Sequence, residues 1–123
     1  MTFEQLKKYC NSIGLVEKEQ QQYNGFQFPS KFASHNDFIV AYDRNVEGIR
    51  CANSVVIENN TLLFDNSTFG RGIRCYGFTE PLKYAKDIKE KIDDLLKTYK
   101  KCVLELKKKE YIDRICEIEG DFV

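Results

Sequence analysis

The sequence predicts an α+β domain, and three observations carry that prediction. Thr2 and Gln5 form a capping box ahead of apolar residues at helical spacing. The middle of the chain alternates with period two, and a long stretch after Pro81 returns to helical period. At 123 residues with no break in composition, a single domain over 1–123 with one core is expected.

The first element is a short amphipathic helix in which Phe3, Leu6, Cys10 and Ile13 recur at helical spacing until Gly14 supplies a stop. A polar stretch, Glu17 to Gln22, leads to Tyr23-Asn24-Gly25-Phe26, where Asn-Gly between aromatic flanks predicts a tight hairpin turn. Pro29 ends regular pairing or confines it to an edge. From Asp37 the period is two: Phe38, Val40 and Tyr42 alternate with Ile39 and Ala41. Asp43 to Glu47 is turn-like, and Gly48 to Ala52 is strand-like again. Ser54 to Glu58 and Thr61 to Asp65 flank Asn59-Asn60, a second tight-turn signal because asparagine tolerates positive φ. Asn66 to Gly70 reads as a loop and Arg71 to Phe78 as a last strand. The connections are too short for parallel crossovers, so the expected sheet is an antiparallel meander of four or five strands.

Thr79, Glu80 and Pro81 together predict a helix start: a capping residue, an acid in the first turn and a proline where its missing N–H costs nothing. Ala85, Ile88, Ile92, Leu95, Tyr99, Cys102 and Leu106 then follow a heptad-like seam, widened by Leu96 and Val103. Continuing that seam would place Lys109 and Asp113 in it, which predicts a break near Lys107–Lys109. A second segment, with Leu104, Tyr111, Ile115 and Ile118 on its face, is expected to run on to Gly120.

Composition narrows the function. The 19 basic and 19 acidic residues cancel, so the strong basic footprint of a nucleic-acid coat is missing. No apolar run approaches the roughly 18 residues of a membrane span, and the N-terminus lacks the pattern of a secretory signal, so a cytoplasmic protein is expected. Cys10, Cys51, Cys75, Cys102 and Cys116 are odd in number and widely spaced, as reduced buried thiols would be. With His35 the single histidine, neither a metal site nor a Cys-His nucleophile is expected. Gly70-Arg71-Gly72 precedes a strand, so it lacks the helix N-terminus of a phosphate loop, and Asp93-Asp94 sits on a charged helix face. The expectation is a non-enzymatic protein without a cofactor.

Two features point to binding. Gly48-Ile49-Arg50-Cys51 recurs as Gly72-Ile73-Arg74-Cys75, and strand alternation sets Arg50 and Arg74 opposite the core-facing isoleucines. Between Phe32 and Leu82 every basic residue is an arginine (Arg44, Arg50, Arg71, Arg74), although the chain holds 14 lysines and 5 arginines. Guanidinium forks hold phosphate or carboxylate bidentately, and Phe69, Tyr76 and Phe78 lie beside them as stacking candidates. The same arginines also suit pairing with Glu47, Glu58 or Asp65 within the sheet. Residues 97–109 carry six lysines against Glu105, and residues 110–123 carry five acids against Arg114. This pattern orders two antiparallel copies of one helix, so a homo-oligomer through residues 85–118 is expected, with Arg114 completing a site at the interface.

The small β-rich core bearing the two Gly-Ile-Arg-Cys repeats, followed by long C-terminal helices from Thr79-Glu80-Pro81, resembles phage-encoded Thoeris anti-defence proteins of the nucleotide-sponge type. The resemblance implies a non-enzymatic oligomer in the host cytosol that sequesters a cyclic ADP-ribose signal with arginine and aromatic side chains. The alternative is a mobile-element inhibitor that blocks a host defence protein such as a CRISPR nuclease.

Overall fold

The computed structural model describes residues 1–33, 37–62 and 69–121, with side chains as far as Asp113. Thr2 begins helix α1 (Phe3–Ser12) as the capping box predicts. Its hydroxyl accepts from the Gln5 N–H at 3.2 Å, and the Gln5 side chain accepts from the Thr2 N–H at 2.9 Å. Gly14, at φ +84°, reverses the chain beyond the helix. Leu6 and Cys10 point into the core, and Phe3 and Ile13 pack at its margin.

Five strands follow: β1 (Val16–Glu19), β2 (Tyr23–Gln27), β3 (Val40–Asp43), β4 (Gly48–Leu62) and β5 (Phe69–Phe78). They form one antiparallel meander in sequence order, as expected. The long β4 is its spine. Gly48–Cys51 pair with β3, and the rest of the strand from Ala52 pairs with β5. The outer edge of β5 is covered by the segment before β3. The Phe32 carbonyl accepts from Ile73 N–H at 2.9 Å, and the Asp37 carboxylate accepts from Cys75 N–H at 3.1 Å.

Two expected turns lie inside strands. Asn24-Gly25 belongs to β2, and the hairpin reverses instead through Gln20–Gln22. Gly25 is needed there for close approach: a Cβ at this position would stand 2.3 Å from the ring of buried Phe38. Asn24 donates to Glu17 at 3.0 Å, which fixes it to β1. That strand, Val-Glu-Lys-Glu, is a charged edge and so carries no apolar alternation to announce it. Asn59-Asn60 falls within β4, where the register shifts between Glu58 and Thr61. Asn60 does take positive φ, +61°, but as part of a bulge, so three expected strands fuse into one of 15 residues.

Helix α2 (Ala85–Asp121) starts later than expected, because Thr79–Leu82 extend the pairing with β4. Thr79 N–H donates to Cys51 O, Leu82 N–H donates to Ile49 O, and the Thr79 hydroxyl accepts from Cys51 N–H instead of capping a helix. Nor is there a break at Lys107–Lys109, where α2 is continuous over 37 residues. Lysine is a good helix former, and beyond Leu106 the helix runs past the sheet, so the seam positions there need not be apolar. The seam residues Ile88, Ile92, Leu95, Leu96, Tyr99 and Leu106 are buried in the same core as Ile49, Val55 and Ile73. This side of α2 therefore serves the chain's own fold. Among the described residues no helix is long and apolar enough to cross a membrane.

Candidate functional site

The two Gly-Ile-Arg-Cys repeats are built alike. Ile49 and Cys51 are buried from β4; Ile73 is buried and Cys75 half-buried from β5. On the other side each arginine meets a buried aspartate. Arg50 Nε donates to Asp43 Oδ2 at 3.1 Å and its Nη1 to Thr79 O at 3.2 Å, which ties β4 to the β3–β4 turn and to the segment after β5. Arg74 Nε lies 3.3 Å from Asp37 Oδ1, an ion pair without hydrogen-bond alignment, and its guanidinium stacks 5.6 Å above the Tyr76 ring. Both carboxylates are about 2% exposed.

Arg44 is also occupied. It donates to the Gln20 and Gln21 carbonyls and to Glu19 Oε1 at 2.9, 3.2 and 2.8 Å, capping the β1–β2 turn. The four strand-region arginines therefore do not converge. Arg74 sits opposite Val56, six residues along β4 from Arg50, which is about 20 Å of strand at ~3.3 Å per residue. Phe78 is stacked on Tyr23 with centroids 5.1 Å apart. The Tyr76 hydroxyl donates to Glu58.

Of the candidate site residues, those open to solvent and not tied to another element lie on β5. Arg71 is exposed, with no hydrogen bond or ion pair to any described residue, and Phe69, two residues before it on the same strand face, is 71% exposed. The opposite face carries the half-exposed Arg74–Tyr76 stack, with Val56 beside it on β4. A phosphate or carboxylate could be held on one face by the Arg71 fork with Phe69 stacking on a planar group, or on the other by the Arg74 nitrogens not turned toward Asp37 with Tyr76 beside them. The side chain of Arg114 and the whole of His35 lie outside the described residues, so neither can be placed in a site.

Asp37 and Asp43 escaped sequence reasoning. Asp43, at the start of the turn, carried a weak signal: its carboxylate accepts from Asn45 N–H at 2.9 Å, as turn-initiating aspartates do. Asp37 carried none.

The thiols of the described cysteines are held protonated by burial. Burial pushes Cys10, Cys51 and Cys75 up from 9.0 to about 12, and raises Cys102 as well. Burial also raises the Tyr99 hydroxyl, with Cys75, Asp37 and Cys102 as neighbours that disfavour its ionised form. At neutral pH these groups are protonated and poor nucleophiles. Among the described residues no three His, Cys, Asp or Glu side chains are grouped to hold a metal.

The raised thiols predict an alkaline limit to stability. The folded chain keeps protons that the unfolded chain releases above its ordinary thiol value, so the stabilisation is complete below pH 9 and is lost as pH rises towards 12. Denaturant midpoints should be flat from pH 7 to 8.5 and fall steeply between 9 and 12. Equal midpoints at pH 8 and 11 would contradict this.

Compared with protein-family models, with curated proteins and with solved structures, the chain matches none.

Proposed function

We propose that the protein works by binding and performs no chemistry, and that it sequesters a phosphate-bearing small molecule of the cyclic-nucleotide or ADP-ribose class at the exposed part of β5. One observation carries this reading. Among the described residues Arg71 is a guanidinium without a partner, in a strand region where Arg44, Arg50 and Arg74 each have one, and it shares a strand face with the exposed ring of Phe69. An unpaired fork beside an open aromatic ring is the pairing that grips a phosphate while stacking on a base. In this proposal Arg71 and Phe69 are the contacts, Arg74 and Tyr76 form a separate pair on the opposite face of β5, and Arg44, Arg50 and Phe78 hold the scaffold. The anti-defence role belongs to the same proposal, supported by the Arg-aromatic composition of the surface.

The alternative, inhibition of a host defence protein, uses the same surface against an acidic patch on a macromolecule. Calorimetry of the purified protein against mono-, cyclic and dinucleotides tests the first reading. Saturable binding that Arg71→Ala weakens at least tenfold, with the melting temperature unchanged, is the expected result. Absence of binding across the panel overturns it. Recovery from host lysate of a stoichiometric protein partner that Arg71→Ala releases would favour the alternative.

A further inference from the structure

The bulge in β4 sets one more polar side chain beside Arg71. The two strands pair Ile57 with Ile73 and Glu58 with Gly72, and pairing resumes with Thr61 opposite Gly70 and Leu62 opposite Phe69. Asn59 and Asn60 on β4 therefore share the single place opposite Arg71. Asn60 supplies the positive φ, +61°, that fits the extra residue into the strand. Asn59 stands two residues after Ile57, and Arg71 two residues before Ile73, so alternation puts both on the face of that isoleucine pair. Ile73 is buried there, whereas Asn59 and Arg71 lie past the edge of the core and are exposed.

The same face carries the next cross-strand pair, Leu62 and Phe69. An apolar pair and a polar pair thus stand side by side, about 7 Å apart for two residues at ~3.3 Å each. A nucleotide holds its base and its phosphate at a comparable spacing, with the ribose between them. Among the described residues no hydrogen bond or ion pair engages the side chain of Asn59 or of Arg71.

These two polar groups ask for different partners. A guanidinium only donates and phosphate oxygens accept, so the phosphate alone satisfies Arg71. The Asn59 carboxamide carries an acceptor as well as donors, and a phosphate offers that acceptor nothing. A hydroxyl next to the phosphate does: it donates to the Asn59 carbonyl and accepts from the amide N–H. In a 3′,5′-cyclic ribonucleotide the 2′-hydroxyl is the one free hydroxyl of the sugar and adjoins the phosphate ester, and a 2′-deoxy sugar lacks it.

We infer that Asn59 makes the β5 site selective for ribonucleotides, holding the 2′-hydroxyl while Arg71 holds the phosphate and Phe69 stacks on the base. The inference rests on the proposed nucleotide binding at β5 and adds the sugar to it.

Calorimetry of the full chain against AMP and 3′,5′-cyclic AMP, each beside its 2′-deoxy counterpart, tests the selectivity. At least one ribo form should bind about fivefold or more tighter than its deoxy form, the worth of one hydrogen bond in a partly solvated site. Asn59→Ala should bring that ratio to about twofold or less and leave the affinity of the deoxy form and the melting temperature unchanged, because the side chain is exposed. Arg71→Ala should weaken both forms alike. Equal affinity of the ribo and deoxy forms, with Arg71→Ala still weakening both, overturns the selectivity and leaves nucleotide binding standing. A ribose preference that survives Asn59→Ala overturns the role of Asn59. Binding by none of the four overturns the inference, and failure of the wider nucleotide panel as well overturns the proposal beneath it.

Discussion

Ile92→Asp should leave no cooperative folded state. Ile92 is fully buried in the seam between α2 and the sheet. Truncating such a side chain costs about 2–5 kcal/mol on its own. An unpaired carboxylate in that position adds several more, since none of the buried hydrophobics around it supplies a cation. The total, roughly 5 kcal/mol or more, equals or exceeds the lower range of a small domain's entire stability. The control is Ile112→Asp on the exposed outer side of the same helix, which should change protomer stability by no more than about 0.5 kcal/mol. Thermal melts followed by circular dichroism should show no transition for the first substitution and a near-native one for the second. A native-like melt for Ile92→Asp would mean that the seam is not part of the core.

The contrast between those two isoleucines shows where the sequence was legible. Helical period found every buried position of α2 from Ile88 to Leu106, because a stripe that packs on a sheet must repeat with the helix. It could not say whether the stripe packed on the chain's own sheet or on another copy, since both ask for the same residues. The Lys107–Lys109 break failed for a related reason: the polar residues there end the packing and not the helix. In the sheet, alternation located β3 and β5, and the Asp43–Glu47 turn was found from its polar run. Asn24-Gly25 and Asn59-Asn60 misled because glycine and asparagine serve several backbone needs. One supplies room for the Phe38 ring, and the other a positive φ inside a bulge.

The candidate site was half legible for the same kind of reason. Spacing put Arg50 and Arg74 opposite their core-facing isoleucines, and the structure places them there. Whether a guanidinium waits for a ligand or pairs with an internal carboxylate depends on residues brought in from elsewhere. For Arg74 the partner is Asp37, 37 residues earlier in the chain, and local spacing gives no hint of it. Arg71 is distinguished from the other three strand-region arginines by the lack of such a partner among the described residues.

Asp43→Ala should be the most damaging substitution of a polar residue. The Asp43 carboxylate accepts from Gln22 Nε2 at 3.3 and 3.4 Å, from Asn45 N–H at 2.9 Å and from Arg50 Nε at 3.1 Å, while almost wholly buried. It thereby joins the β1–β2 turn, the β3–β4 turn and β4 at one point. Removing one partner of a buried ion pair costs about 3–5 kcal/mol, and the lower end applies because the Arg50 side chain is 22% exposed and regains some water. The expected loss is therefore about 3 kcal/mol by denaturant titration. Asp43→Asn, which keeps an oxygen for the Asn45 N–H but removes the charge, should cost roughly half as much. The double substitution Asp43→Ala with Arg50→Ala decides whether the pair acts as a unit. Its loss should fall short of the sum of the single losses by about 1 kcal/mol or more, because the second change removes a cation that the first has already stranded. Strict additivity would show that Arg50 is held mainly by its 3.2 Å bond to the Thr79 carbonyl.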